Sequence, residues 1–244
     1  MGFEYLLFVI AGALAGGFVN GLAGFGTGIT ALGLWLYVLS PSVAATLVVV
    51  CSAAAQIQTL PRIWHAIEVS RVLPFIIPGL LAVPLGTFLL TYVDVRVFKL
   101  GIASLLIIYS LYSLFLRGRT GMVWGGRAAD VSVGFSGGIL GGLAGLSGPP
   151  LTVWGDLRGW TKEQKRSTFQ AFNLSILGAA LISHFTAGLF TRELLGAVAV
   201  ALPATFLGAW LGAALYARVS DKRFNEIILV LLGLSGIVLI WTNL

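Results

Sequence analysis

Charged side chains are scarce in this chain. Lys and Arg number 15 and Asp and Glu number 9, so 10% of the 244 residues are charged, against about 25% in an average soluble domain. Hydrophobic residues make up 58% of the chain. A soluble protein of this composition would expose large apolar patches and aggregate. The composition therefore excludes a soluble enzyme and a nucleic-acid-binding module, and it predicts a protein that lies in the lipid bilayer and has no nucleic-acid partner.

Cysteine and histidine are almost absent as well. Cys51 is the sole cysteine, so the chain can form no internal disulfide and no thiolate metal cluster. The two histidines, His65 and His184, are too few for a histidine metal site without carboxylate ligands. We therefore expect no metal, no cofactor and no enzymatic activity. Residues 1–4 lack the basic region of a signal peptide.

Apolar runs divide the chain into ten predicted segments, and four of them are short. Crossing an apolar core of about 30 Å takes roughly 20 helical residues, a length that the other six segments approach. Gly28–Leu39, Val131–Leu143 and Pro149–Gly155 are too short to cross, and Phe3–Val19 is marginal. The pattern predicts an all-α polytopic membrane protein. The ten segments are Phe3–Val19, Gly28–Leu39, Val43–Thr59, Val72–Val93, Val97–Leu116, Val131–Leu143, Pro149–Gly155, Ser167–Leu189, Leu194–Tyr216 and Phe224–Thr242.

The short segments form two pairs, each joined by a glycine-rich break. The breaks are residues 20–27, NGLAGFGT, and residues 144–148, AGLSG. Each pair is predicted to be a helical hairpin that need not cross the membrane fully. If each hairpin enters and leaves on one side, 12 positive charges fall on one side and 3 on the other, whereas counting each pair as one crossing gives 9 against 6.

Cytoplasmic loops carry an excess of Lys and Arg, so the hairpin topology is favoured. It predicts an integral protein of a bacterial inner (plasma) membrane with both termini periplasmic. The charges assigned to the cytoplasmic side are Arg62, Arg71, Arg117, Arg119, Arg127, Arg158, Lys162, Lys165, Arg166, Arg218, Lys222 and Arg223.

The two halves of the chain resemble each other. Leu85-Gly86 recurs as Leu207-Gly208. The order of one hairpin and three spans occurs twice, starting from opposite sides, and inverted repeats of this kind mark many secondary transporters. We expect one membrane transport domain over 1–244, with repeat one at about 1–118, a cytoplasmic linker at about 117–130 and repeat two at about 131–244. The glycine-rich matches, 121 residues apart, pair Gly17, Gly21, Leu22, Ala23 and Gly24 with Gly138, Gly142, Leu143, Ala144 and Gly145.

The glycine breaks are the predicted binding site. Backbone that leaves the helix inside a membrane must be buried in protein or line a cavity, and the helix N-terminus after each break attracts anions. No carboxylate lies at the middle of a segment, so His184 is the one obvious titratable candidate for coupling. The alternative is that the glycines serve only close helix packing, the role expected of Gly12, Gly16, Gly134 and Gly141. The predicted substrate-binding residues are Asn20, Gly24, Gly26, Thr27, Gly28, Gln56, Gly145, Ser147, Gly148, Gln170 and Asn173.

At these residues the chain resembles the sulfite exporter TauE/SafE family. The matching stretches are residues 16–28, GGFVNGLAGFGTG, followed by Ala44-Ala-Thr46, and residues 134–150, GFSGGILGGLAGLSGPP, followed by Ser167-Thr168. The family commonly has a Gly-Gly-Gly turn, where this chain has Gly26-Thr27-Gly28 and Ser147-Gly148-Pro149. The resemblance implies transport of sulfite, thiosulfate or organosulfonates, often as export, with the lipid bilayer and a small anion as partners. A homodimer is compatible with it.

Two rival functions remain open from the sequence. Residues 145–148, GLSG, fit the Gly-x-Ser-Gly motif of rhomboid-like intramembrane proteases, with Ser147 as nucleophile and His184 as base. The second rival is a channel or transporter for another small solute, neutral or cationic.

Overall fold

The computed structural model describes residues 2–59, 65, 67–115 and 126–216. Within these ranges the chain is all helical, with nine helices and no strand. The helices are α1 (Phe3–Ala23), α2 (Thr27–Val38), α3 (Pro41–Thr59), α4 (Val69–Tyr92), α5 (Val95–Phe115), α6 (Gly126–Ala144), α7 (Gly148–Leu157), α8 (Lys162–Thr186) and α9 (Arg192–Tyr216). The tenth predicted segment, Phe224–Thr242, lies outside the described residues.

The distribution of side chains is that of a protein surrounded by lipid. Among the described helices, α1, α3, α4 and α9 are long and apolar enough to cross a membrane. Large apolar side chains point outward, and Leu81 and Phe88 on α4 are 74% and 57% exposed. Polar side chains lie inside, and Asn20 and Gln170 are fully buried. Interior polar groups and an apolar exterior are the reverse of what water favours.

The first arm of each hairpin is longer than its apolar run predicts. Helix α1 continues from Phe3 to Ala23, and α6 has 19 residues instead of the 13 of Val131–Leu143. Helix α6 begins at Gly126, in a polar stretch that is not part of an apolar run. The glycine-rich ends of α1 and α6 pack against neighbouring helices. The second arms are short as predicted, with 12 residues in α2 and 10 in α7.

Glycine allows two pairs of helices to pack backbone against backbone. The most extensive contacts join α1 to α9 and α4 to α6. Gly17 and Gly21 face the carbonyls of Thr205 and Ala209, and a Cβ at either glycine would overlap the facing backbone. The residue numbers of the contacting positions increase together along α1 and α9, so the two helices run parallel. Close packing is also the role of Gly12, Gly16, Gly134 and Gly141, where an added Cβ would meet Trp35, Thr27, Phe75 and Ile176.

Helices α3 and α8 pack against each other between these pairs. The Thr46 hydroxyl lies 3.0 Å from His184 Nδ1, and Gln170 Nε2 donates to the Gln56 carbonyl at 3.4 Å. The contacts join the start of α3 to the end of α8 and the end of α3 to the first half of α8, so the helices cross antiparallel. This crossing brings the polar side chains of α3 and α8 beside both glycine breaks.

Candidate functional site

Each glycine break ends a helix in a left-handed turn. Gly24 has φ +78° and donates its N–H to the Asn20 carbonyl at 2.7 Å, which caps α1. Gly26 follows with φ +109° at the start of α2. In the second break Gly145 has φ +66° and donates to the Gly141 carbonyl at 2.9 Å. Glycine adopts these angles without strain, so the glycines at these positions determine where the helices end.

The two breaks meet at a small space, which we call the break cavity. Its volume is about 10 Å³, about the space that one water needs. Phe25, Ile29, Ser52 and Leu177 contribute to its lining. The structure also brings eight of the predicted residues to this lining: Asn20, Gly26, Gly28, Gln56, Gly145, Ser147, Gly148 and Asn173.

The other three predicted residues lie behind this lining. Thr27 accepts a hydrogen bond of 2.8 Å from Asn20 Nδ2, so it orients the asparagine. Gln170 bonds to the carbonyl of Gln56. Gly24 faces Gln170, whose Oε1 would lie 3.7 Å from a Cβ at the glycine. These residues support the lining of the break cavity from outside.

Asn173 presents an unused hydrogen-bond donor to the break cavity. Ser147 Oγ donates to Asn173 Oδ1 at 2.6 Å. In the described part of the chain, Asn173 Nδ2 has no hydrogen-bond partner although the residue is only 1% exposed, and Asn20 Oδ1 is also buried without one. Unsatisfied polar atoms in a low-dielectric interior are costly, so these atoms mark a place where a polar ligand or water would be stabilised.

The two helix N-termini at the breaks are unequal as anion sites. The first turn of α2 begins Thr27-Gly28-Ile29, where each residue carries a backbone N–H. The first turn of α7 begins with Gly148 and two prolines, Pro149 and Pro150, which have no N–H. Since free N–H groups are what an anion contacts at a helix N-terminus, α2 is the stronger of the two ends.

Arg166 is a site-adjacent residue that the charge count missed. Counting Lys and Arg assigned it to a cytoplasmic loop, but the residue is 6% exposed and its Nη2 lies 3.5 Å from the Gly21 carbonyl. Its Cγ would lie 3.8 Å from a Cβ at Gly24. The available signal was its spacing: Arg166, Gln170 and Asn173 are at i, i+4 and i+7 on one face of α8.

Ser147 and His184 do not form a catalytic pair. The Ser147 hydroxyl bonds to Asn173, while His184 contacts the Thr46 hydroxyl and the Gly142 carbonyl, the latter at 2.7 Å from Nε2. A nucleophile and its base need direct hydrogen-bond reach, so this arrangement does not match the protease motif. In the described part of the chain, no group of three or more His, Cys, Asp or Glu side chains is placed to hold a metal ion.

Comparison with known proteins agrees with this architecture. The family model of sulfite exporter TauE/SafE matches residues 8–239, which is nearly the whole chain. No curated protein matches the chain, and no solved structure matches it. The match extends over both glycine breaks and over every described helix apart from the first five residues of α1. The chain therefore belongs to the sulfite exporter TauE/SafE family.

Proposed function

We propose that the protein is a secondary transporter that moves small sulfur oxyanions, such as sulfite and thiosulfate, or organosulfonates across the plasma membrane. The observation that carries the proposal is the break cavity, where two glycine turns and a buried, unused amide donor converge. The family supports sulfur anions in general, and the substrate class proposed for the cavity rests on its chemistry.

The groups around the break cavity suit an anion. Asn173 Nδ2 is an unused donor, and the backbone N–H groups of Thr27 and Gly28 start the α2 helix beside it. No carboxylate occurs among the described residues of the lining. An oxyanion would accept hydrogen bonds from these groups without meeting a negative charge. Neutral donors in a dry site stabilise an anion strongly because the local dielectric is low.

The lengths of the short arms support a location of the break cavity near the centre of the membrane. Helix α2 has 12 residues and α7 has 10, which correspond to lengths of about 18 Å and about 15 Å at 1.5 Å per residue. Each is about half of an apolar core of about 30 Å. If both second arms return to opposite faces, their N-termini meet at the midplane, where secondary transporters commonly bind substrate.

The helix packing supports two repeats of inverted topology. Helix α1 of the proposed first repeat packs along α9 of the second, and α4 of the first packs along α6 of the second, so the pairing is reciprocal. The two pairs differ in register: Gly208 faces Leu14, whereas Gly86 faces Ile139, four residues beyond the partner that a spacing of 121 gives. Two halves that alternate between two packings would show this kind of asymmetry.

The charge distribution supports an orientation and a direction. With 12 of 15 positive charges on one side, we place that side in the cytoplasm and both termini in the periplasm. An anion that leaves a negative-inside cell gains about 2.3 kcal/mol per charge per 100 mV. Export therefore requires no coupling carboxylate in the membrane interior, which agrees with the composition of the break cavity.

The break cavity must widen to hold a substrate. Sulfite has four heavy atoms, whereas the cavity has about the room of one water. In this proposal the structure therefore corresponds to a closed conformation. Substrate binding would separate the two breaks or rotate the Phe25 ring that lines the cavity.

The test is a binding screen of the purified protein against sulfite, thiosulfate, sulfoacetate and taurine, with sulfate and chloride as comparison anions. We expect at least one sulfur compound to bind measurably by calorimetry and to be released from loaded proteoliposomes. A potential that is negative inside should accelerate that release. Binding of none of these compounds, or flux with the sign of a cation, would contradict the proposal.

A further inference from the structure

A second cavity lies at the end of the bundle where α4, α6 and α8 begin. We call it the arginine cavity, and its volume is about 330 Å³. Its lining includes Arg71, Arg127, Asp130, Arg158 and Trp160. It is far larger than the break cavity and has room for an anion with several waters.

Guanidinium groups outnumber carboxylates at the arginine cavity. Arg71 pairs with Glu68 at 2.8 Å and Arg158 pairs with Asp130 at 3.4 Å. Arg127 forms no ion pair with any residue that the structure describes. Three arginines therefore face two carboxylates. The planar fork of N–H groups on each guanidinium matches the oxygens of an oxyanion.

Three aromatic rings connect the arginine cavity to the break cavity. Trp160 lines the arginine cavity, and its ring centroid lies 6.4 Å from that of Phe169. Phe169 packs edge-on against Phe25 with 5.9 Å between centroids, and Phe25 lines the break cavity. Phe169 is thus the ring that touches both linings, and it separates a wide cationic space from a narrow polar one.

All three rings pack against the backbone of α7. A Cβ at Gly155 would lie 2.8 Å from Trp160 Cε3 and 3.2 Å from Phe169 Cζ, and one at Gly148 would lie 2.6 Å from Phe25 Cδ2. All three rings therefore rest directly on one short helix. A movement of α7 relative to α8 would displace the rings together.

We propose that the arginine cavity is a second binding site for the transported oxyanion, on the cytoplasmic side of the break cavity and divided from it by Phe169. This inference rests on the function proposed above. Arg166, Phe169 and Asn173 occupy successive turns of one face of α8, so an anion that passes Phe169 moves from guanidinium groups to the Asn173 amide. The chemistry recognised is a sulfonate or sulfur oxyanion that arrives from the cytoplasm.

Thiol accessibility tests the route without a need for the natural substrate. Cys51 is the sole cysteine, so a C51A background carrying S52C places one reactive thiol in the lining of the break cavity. The anionic reagent methanethiosulfonate ethylsulfonate and its cationic trimethylammonium analogue are applied to the cytoplasmic face in inside-out vesicles. We expect F169A to raise the modification rate by about tenfold and F169L by less. The control F185A removes a ring that is 69% exposed and should leave the rate unchanged.

The charge of the arginine cavity is tested by the ratio of the modification rates measured with the anionic and the cationic reagent. R127Q should lower the rate for the anionic reagent relative to the cationic one by about tenfold, the low end of the effect of charged clefts on association rates, and R127E by more. The control R192Q changes an exposed arginine at the other end of the bundle and should not alter the ratio.

Three outcomes would overturn the inference. The reagents could modify the thiol introduced by S52C faster from the periplasmic face, or F169A could have no effect. R127Q could also leave the ratio of modification rates unchanged. If the wild-type protein is more stable in phosphatidylglycerol than in phosphatidylcholine vesicles and R127Q abolishes this difference, the cavity binds a lipid phosphate instead. If sulfite binds while accessibility and ratio stay unaffected, the proposed function survives and this inference fails. If no sulfur compound binds while the F169A and R127Q effects persist, the proposed function fails instead.

Discussion

Ser147 Oγ donates a hydrogen bond of 2.6 Å to Asn173 Oδ1, while Asn173 Nδ2 has no partner among the described residues. The bond joins the second glycine break to α8, the second helix that follows it along the chain. Because Ser147 occupies Oδ1, a bound molecule can contact the Nδ2 group of Asn173. A donor held in this way selects ligands that carry acceptor oxygens.

Replacing Asn173 by Asp should weaken anion binding. The variant keeps an acceptor for Ser147 but replaces the buried donor with a carboxylate oxygen. Hydrogen bonds to charged groups contribute about 1.5–3 kcal/mol, so we expect affinity for the bound sulfur anion to fall at least tenfold by calorimetry. An unfolding midpoint in detergent close to that of the wild type provides the control. Unchanged affinity would remove Asn173 from the site.

Replacing Gly26 by Ala should destabilise the protein. Gly26 has φ +109°, and a Cβ there would lie 2.7 Å from Val19 Cγ1. The strained backbone alone costs about 1–3 kcal/mol, so we expect a clear drop in the unfolding midpoint. Gly178 on α8 is the matched control because no atom lies within 4 Å of its added Cβ. G178A should be neutral or slightly stabilising, by up to about 1 kcal/mol, and equal behaviour of the two variants would contradict the left-handed turn.

Replacing Arg166 by Gln should weaken anion binding or uptake from the cytoplasmic side. The guanidinium of the buried Arg166 lies 3.5 Å from the Gly21 carbonyl in the first break, so it contributes positive potential close to the break cavity. We expect R166K to retain more activity than R166Q, measured as sulfite flux in proteoliposomes. R192Q alters an exposed arginine and should behave as wild type. Wild-type flux in R166Q would show that the arginine only anchors α8 to α1.

Replacing Ser147 by Ala should reduce binding moderately without abolishing transport. Loss of the hydroxyl leaves the buried Asn173 Oδ1 without its donor, which costs about 1–3 kcal/mol. Because His184 contacts Thr46 and Gly142 instead of Ser147, a fluorophosphonate probe should not label the wild-type protein. Labelling that disappears in S147A would instead support the protease hypothesis.

The helices and the two breaks could be predicted from the sequence because both leave local signals. Apolar runs mark helices in a membrane protein, and the glycines that interrupt them carry the positive φ angles found at Gly24, Gly26 and Gly145. The lengths of α1 and α6 could not be predicted in this way. Packing of Gly21 against α9 extends α1 beyond its apolar run, whereas α6 begins five residues before its apolar run, in the polar stretch from Gly126. Local composition does not contain that tertiary contribution.

The composition of the site was only partly predictable. Asn173 and Gln56 stood out as polar residues in apolar segments, but their meeting depends on the antiparallel crossing of α3 and α8. Arg166 was assigned to a loop because a count of positive charges does not distinguish an exposed arginine from one whose side chain turns inward. The division between the two cavities depends on contacts of Phe169 with Trp160 and with Phe25, and Phe25 lies far from both in the sequence.

The size of the break cavity has a consequence for the path of water. A space with room for about one water cannot hold a chain of water molecules. In this conformation the two glycine breaks therefore form a constriction without a continuous aqueous path between them.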